Sequence, residues 1–191
     1  MTRPQNTMNP TNLDDVLRTY REHGHRHYGE NVTELQHALQ CATFAQEAGE
    51  PPVVVAAALL HDYGHICHQF GEDIANHGVD ARHEHISYNK LKDLFTDEIV
   101  DACQLHVAAK RYLCRREPGY LDGLSDASQH SLHLQGGPMN ADEAREFESE
   151  PHFDLAVRVR RYDDMGKVPD MATPDLDSFI PLLQTFVRFA A

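Results

Sequence analysis

The sequence predicts an all-α, single-domain protein. Apolar residues recur at helical spacing, as in residues 12–22, where Leu13 and Leu17 lie on one side of a predicted helix. No segment shows the sustained apolar–polar alternation that a half-buried strand requires. No repeat and no long linker divides the 191 residues, and a chain of this length can bury a sizeable core as one unit.

The predicted helices follow one another along the chain. Residues 1–11 are polar and rich in Pro and Asn, which predicts a flexible tail, and we expect residues 12–191 to form the bundle. A second helix is expected between a capping Thr33 and Gly49. Residues 119–140 predict a loop with a short helix. Further helical patterns occupy residues 51–65, 80–95, 96–117, 141–150, 153–167 and 176–191, the last of them continuing through Pro181.

Composition excludes several classes of protein. A formal net charge of -13 disfavours a nucleic-acid partner, because such proteins usually carry a basic face. The four cysteines form no CxxC pair and predict reduced, packed thiols. The N-terminal residues contain no apolar h-region, and no apolar run approaches the ~20 residues of a membrane span. We therefore expect a cytoplasmic protein that binds neither nucleic acid nor membrane.

Polar residues interrupt several otherwise apolar helical faces. The clearest case is the stretch VVVAAALLHDYGH, in which His61 and Asp62 follow an aliphatic run. Several such groups buried together without a cation would carry a large desolvation cost, so a metal site explains them together. The candidate ligands are His37, His61, Asp62, His83, His106 and Asp163.

The order of these residues resembles that of the HD-domain superfamily, in which a His, a His-Asp pair and a distant Asp follow one another. Here His37, the pair at 61–62 and Asp163 match that pattern. The resemblance also places a Lys four residues after the last Asp, and Lys167 favours Asp163 over the neighbouring Asp164. It implies an HD-type helical bundle.

The ligand chemistry supports a dinuclear metal site. The Asp62 carboxylate has two oxygens and can bridge two cations, while the adjacent His61 binds one of them. His83 and His106 would complete the second ion. Imidazole and carboxylate ligands together suit iron, manganese or zinc.

A closer resemblance, over about residues 30–170, is to the phosphonate-cleaving HD-domain oxygenases. The segments that carry it are ELQHALQCATFAQ, AALLHDYGH, LHVAAKRYL, LSDASQHSLHLQGGPM and DMGK. The resemblance implies two iron ions in the mixed-valent Fe(II)/Fe(III) state and O₂ as co-substrate. It also implies cleavage of the C–P bond of a 1-hydroxy-2-(amino or trimethylammonio)ethylphosphonate, releasing phosphate with glycine or glycine betaine.

Two residues are candidates for both substrate binding and catalysis. Lys110 follows His106 by one helical turn, which would place its ammonium beside the second metal ion and a bound phosphonate. The alternative is an exposed helix lysine. His65 follows His61 by one turn and could donate a hydrogen bond to substrate from the same pocket.

The remaining candidate substrate contacts are less specific. Ser125 and Ser128 could form an anion-binding nest or simply cap a helix. Gln135 precedes two glycines and could either approach substrate or belong to a turn. In the family, a Tyr and a nearby acid shape the opening of the site, and Tyr28 and Glu30 are the matching types. The family member that is specific for the primary amine has one more residue between its Tyr and its acid than this sequence has between Tyr28 and Glu30. The sequence therefore leaves open whether the substrate carries a primary amine or a trimethylammonium group.

Two other functions compete with the oxygenase. A metal-dependent phosphohydrolase acting on a nucleotide or small phosphate ester could use the same scaffold. A ligand-binding HD regulator without activity would predict an incomplete ligand set. The sequence leaves the oligomeric state open.

Overall fold

The computed structural model describes residues 9–28, 31–67 and 81–188. In those ranges the regular structure is helical, with two isolated β-bridges and no strand, which confirms the all-α prediction. None of the helices in these ranges is long and apolar enough to cross a membrane. The helices are α1 (Leu13–His23), α2 (Glu34–Glu47), α3 (Pro52–Leu60), α4 (Tyr63–Cys67), α5 (His83–Leu91), α6 (Asp97–Arg116), α7 (Tyr120–Gly123), α8 (Asp126–Leu134), α9 (Ala141–Phe147), α10 (Phe153–Met165) and α11 (Ile180–Gln184), with a 3₁₀ helix at Leu176–Phe179.

Helix α3 lies at the centre of the bundle. Its residues 54–60 are Val, Ala and Leu, and all of them are buried. A helix that is apolar on every side must be surrounded by other elements, and α3 packs against α2, α6, α10 and α11. The turn that follows α3 therefore begins in the buried interior of the protein.

Helix α6 forms the longest wall of the bundle and packs against α3, α5 and α10. Its apolar side, Ile99, Val100, Cys103 and Val107, is buried as the sequence predicts.

The predicted ends of α2 are also confirmed. The Thr33 side chain accepts from the backbone N–H of Gln36, whose side chain accepts from Thr33 in return, and this capping box satisfies two backbone donors.

The C-terminal segment differs from the prediction. A single helix over residues 176–191 is wrong for the described part, because a 3₁₀ helix is followed by the short α11, which ends at Gln184. Pro181 lies in the first turn of α11, where its missing N–H costs nothing, whereas inside a continuous helix it would break the hydrogen bonding. Beyond α11 the chain pairs with the α5–α6 connection through a Phe95–Val187 bridge.

The predicted helix over residues 51–65 is also divided. Helix α3 ends at Leu60 and α4 begins at Tyr63, so His61 and Asp62 occupy the turn between the two helices. The backbone N–H of Gly64 donates to Ser87 Oγ of α5 at 2.7 Å. This contact brings α4 and α5 together beside the turn.

Gly64→Ala should lower the stability of the protein. A Cβ at this position would overlap the carbonyl oxygen of His83 and come within 2.9 Å of Ser87 Oγ. Separating α4 from α5 should cost about 1–3 kcal/mol, as overpacking does elsewhere, and thermal denaturation of the metal-free protein measures it. Gly123→Ala is the matched control, since nothing lies within 4 Å of a Cβ there. Equal melting temperatures for the two variants would contradict the packing argument.

Candidate metal centre

The six predicted ligands meet in the interior, although they come from different elements. His37 lies on α2, His61 and Asp62 in the α3–α4 turn, His83 at the start of α5, His106 on α6 and Asp163 on α10. All six are buried. The structure therefore assembles the complete set that the sequence pattern indicates.

The two oxygens of Asp62 face two different groups of ligands. Oδ2 lies 3.4 Å from His37 Nε2 and 3.3 Å from His61 Nε2. Oδ1 lies 3.2 Å from the Nε2 atoms of both His83 and His106. We call the group of His37, His61, Asp62 and Asp163 the first position, and the group of Asp62, His83 and His106 the second position.

Backbone carbonyl groups set the orientation of three of the imidazoles. The Nδ1 atoms of His37, His61 and His106 lie 2.7–2.8 Å from carbonyl oxygens. A carbonyl oxygen can only accept, so each Nδ1 carries a proton and each Nε2 faces the cluster. The Nε2 atoms of His37 and His61 are 3.3 Å apart and can share at most one proton, an arrangement that suits a bound cation.

The charges at the centre also fit metal ions. Burial alone would raise the pKa of Asp62, but His61 and His65 outweigh it and lower that pKa well below its usual range. Burial lowers the pKa of His83 well below its usual range, which keeps it neutral. Burial also acts to lower the pKa of His61, yet Asp62 and Asp163 raise it to about 9.

These protonation states describe a site that attracts positive charge. The proton that the carboxylates hold on His61 is the one a metal ion would displace. Asp62 Oδ1 is buried and has no hydrogen-bond partner among the described residues, which is costly unless a cation occupies that side. The donor set of neutral imidazoles and ionised carboxylates therefore fits two divalent transition-metal ions.

Cys41 lies beside the first position, where its Sγ forms a further candidate group with His37 and His61. Its Sγ is 3.8 Å from Nδ1 and 3.7 Å from Nε2 of His37. Nearly equal distances place the sulfur beside the ring, not along the Nε2 lone pair. Burial raises the pKa of this thiol well above its usual range, so it stays protonated and packs as a small apolar group.

The structure separates the two neighbouring aspartates of α10. Asp163 reaches the first position, with Oδ1 3.6 Å from His37 Nε2, whereas Asp164 accepts hydrogen bonds from Arg160 and Tyr120. Arg160 Nη1 also donates to Asp163 Oδ2 at 2.6 Å. Arg160 is buried and was missed in the sequence, although its spacing of three and four residues from the two acids is a usable signal.

Two ammonium groups lie near helix α8, one of them buried and the other half-buried. Lys110 is only 3% exposed, which excludes the alternative of an exposed helix lysine, and its Nζ donates to Ser131 Oγ at 2.7 Å. Burial and the nearby Arg160 lower the pKa of Lys110 to about 7. Lys167 Nζ donates to Ser128 Oγ at 2.9 Å.

Helix α8 presents these hydroxyls at intervals of three residues. Ser125 is the N-cap and accepts from Ser128 N–H at 3.2 Å, so its capping role is observed. Ser131 and the contact of Lys167 were missed, although the repeated serine spacing indicates a common face. Gln135 caps the C-terminus of α8, and its buried side-chain Oε1 has no hydrogen-bond partner in the ranges that the structure describes.

Two aromatic rings flank the ligands. Tyr28 stacks on His37 with ring centroids 3.9 Å apart, and its hydroxyl donates to Asp163 Oδ1 at 3.3 Å. His65 stacks on His83, also with centroids 3.9 Å apart. Burial lowers the pKa of His65, which favours the neutral ring. Glu30, the predicted acid beside Tyr28, lies outside the described residues.

Asp62→Ala should remove both metal ions, because each oxygen of this carboxylate faces a different position. Elemental analysis of the purified variant gives the number of ions per chain. Asp164→Ala is the matched control, since Asp164 contacts Arg160 and Tyr120 and not the ligand histidines. Retention of two ions by the Asp62 variant would exclude Asp62 as a bridge.

Known proteins share both the domain and most of the chain length. A sequence model of the HD domain matches residues 34–145. The chain is 45% identical over 159 residues to [1-hydroxy-2-(trimethylamino)ethyl]phosphonate dioxygenase (glycine-betaine-forming) of Leisingera caerulea, covering 83% of this chain and 81% of that relative. It is 42% identical over 169 residues to hydroxymethylphosphonate dioxygenase of Gimesia maris, covering 87% of this chain and 84% of that relative. With its bundle of helices around a His-Asp centre, the chain belongs to the HD-domain family.

Proposed function

We propose that this protein is an oxygenase that uses O₂ to cleave the C–P bond of a 1-hydroxyalkylphosphonate. The observation that carries the proposal is the pair of candidate ligand groups sharing Asp62, together with the buried ammonium of Lys110 and the half-buried ammonium of Lys167, which suit a phosphonate. The names of both relatives, which are phosphonate dioxygenases, support oxygenation over hydrolysis. The preferred substrates are the 1-hydroxy-2-(amino or trimethylammonio)ethylphosphonates, with phosphate and glycine or glycine betaine as products.

The metal ions of this proposal are two irons in the mixed-valent Fe(II)/Fe(III) state. His37, His61 and Asp163 would hold one ion, His83 and His106 the other, and Asp62 would bridge them. Bound iron supplies the redox chemistry that couples O₂ to oxidation of the substrate. The protein's own groups exclude water from this chemistry, since all six proposed ligands are buried.

The phosphonate end of the substrate is assigned to α6, α8 and the segment after α10. Lys110 and Lys167 each donate to a serine hydroxyl of α8, and an ammonium has three donors, so each can also bind an anionic oxygen. A phosphonate beside Lys110 would favour its charged form and offset the effect of burial on its pKa. Ser128 and Ser131 fix the two ammonium groups in place.

The carbon end of the substrate is assigned to Tyr28 and His65. The Tyr28 ring stacks on His37 and its hydroxyl donates to Asp163, so a substrate bound at the first position would lie beside this side chain. The side chain of His65 is partly exposed, and its Nε2 lies 3.9 Å from Asp62 Oδ1. A neutral His65 at this point can donate a hydrogen bond to a substrate oxygen held at the centre.

The reaction is tested with iron-loaded protein, O₂ and each of three compounds. These are 2-amino-1-hydroxyethylphosphonate, its N-trimethylated form and hydroxymethylphosphonate. We expect O₂ consumption and phosphate release in equal amounts, with glycine or glycine betaine identifying the N-substituent that is accepted. Phosphate release in strictly anaerobic buffer would instead establish a phosphohydrolase and overturn the proposal.

Lys110→Ala should raise KM for the phosphonate while the iron content stays unchanged. Loss of one hydrogen bond to a charged group corresponds to roughly a 10- to 100-fold effect. Steady-state phosphate release measures KM, and elemental analysis measures iron. Lys92→Ala, which alters an exposed lysine at the end of α5, is the control. An unchanged KM in the Lys110 variant would remove this residue from the phosphonate site.

A further inference from the structure

His83 differs from the other three ligand imidazoles in the support of its ring. His37, His61 and His106 each place Nδ1 against a backbone carbonyl oxygen. His83 Nε2 faces the second position, 3.2 Å from Asp62 Oδ1, so a bound ion requires the proton on Nδ1. Within the part of the chain that the structure describes, that Nδ1 contacts only a side chain, with Glu84 Oε2 at 3.7 Å.

Glu84, the neighbour of His83, has a carboxylate oxygen that lacks a hydrogen-bond donor within the described residues. The residue is 7% exposed, and within the described part of the chain its buried Oε2 has no hydrogen-bond partner. An acid in the first turn of α5 interacts favourably with the helix dipole, but that effect also operates at the surface and does not explain burial. A buried carboxylate oxygen of this kind calls for a donor.

We propose that Glu84 is a positioning residue for the second position, accepting a hydrogen bond from His83 Nδ1–H. The two side chains are adjacent in sequence, so a small side-chain rotation closes 3.7 Å to the ~2.8 Å of a charge-assisted hydrogen bond. The contact holds the His83 ring in the orientation that directs Nε2 at the ion. It also raises the basicity of the ligand.

His85 is a second possible partner of Glu84, but it does not account for the burial of Glu84 Oε2. His85 Nε2 lies 3.7 Å from Glu84 Oε1, the other carboxylate oxygen. The side chain of His85 is 51% exposed, and an ion pair with it would be worth little. Oε2 therefore stays available to His83. The inference needs a metal ion at the second position but not the proposed oxygenase reaction.

The test is a titration of Co(II) into metal-free protein under anaerobic conditions. Calorimetry should resolve two dissociation constants for wild type, and His37→Ala and His106→Ala assign each one to a position. Glu84→Ala should weaken binding at the second position about 10- to 100-fold, the usual effect of losing a partner of a ligand histidine, and leave the first position unchanged. Glu84→Gln should weaken it less, because the amide oxygen still accepts. Glu98→Gln, which alters an exposed acid on α6, should change neither constant.

The melting temperature of the metal-free variants separates positioning from structural support. Oε2 has no hydrogen bond to lose in the metal-free protein, so Glu84→Gln should leave that temperature unchanged or raise it. If the dissociation constant of the second position is unchanged in Glu84→Ala, the role of Glu84 is overturned, while the proposed function is not affected. A fall in melting temperature together with equal weakening at both positions would also overturn it. Failure of wild type to bind a second ion would remove the metal centre as well.

Discussion

The sharing of one carboxylate between two groups of histidines is the constraint on which the rest of the structure depends. Asp62 can serve both positions only while its oxygens point to opposite sides, toward His37 and His61 on one and His83 and His106 on the other. A displacement of that side chain therefore changes both positions together. The surrounding helices therefore have to fix the position of Asp62 to within a fraction of an ångström, a precision that flexible loops rarely achieve.

The packing around the α3–α4 turn supplies that precision. Residues 54–60 of helix α3 are apolar and all buried, so the C-terminal end of the helix has little freedom to move. Gly64 then brings α4 against α5, where any larger residue would overlap the His83 backbone. Ser87 of α5 also holds this turn, because its hydroxyl donates to the carbonyl oxygen of His61 at 3.1 Å. The turn that carries His61 and Asp62 is thus held between a rigid helix and a close helix–helix contact.

The sequence predicts the fold and the buried cluster of histidines and aspartates better than it predicts the side chains around that cluster. Polar residues within apolar helical patterns identify His37, His83 and His106, because helical periodicity directly reports which face is buried. Arg160 and Glu84 are not identified from the sequence because charged residues are usually exposed, and only the fold reveals their burial. Lys167 is identified by its spacing from Asp163, but its contact with Ser128 is visible only in the fold. The prediction at the C-terminal end failed for a local reason, since amphipathic spacing around Pro181 cannot show whether a helix starts there or passes through.

The hydrogen bond between His37 and Gly166 joins residues that are 129 positions apart. Closing such a long loop is entropically costly and slow compared with local helix formation. The ligands of the second position lie within residues 62–106, whereas those of the first extend from residue 37 to residue 163. Because a chain is synthesised from its N-terminus, all protein ligands of the second position leave the ribosome before the first position can be completed. Vectorial synthesis thus imposes a temporal order on the two halves of the centre.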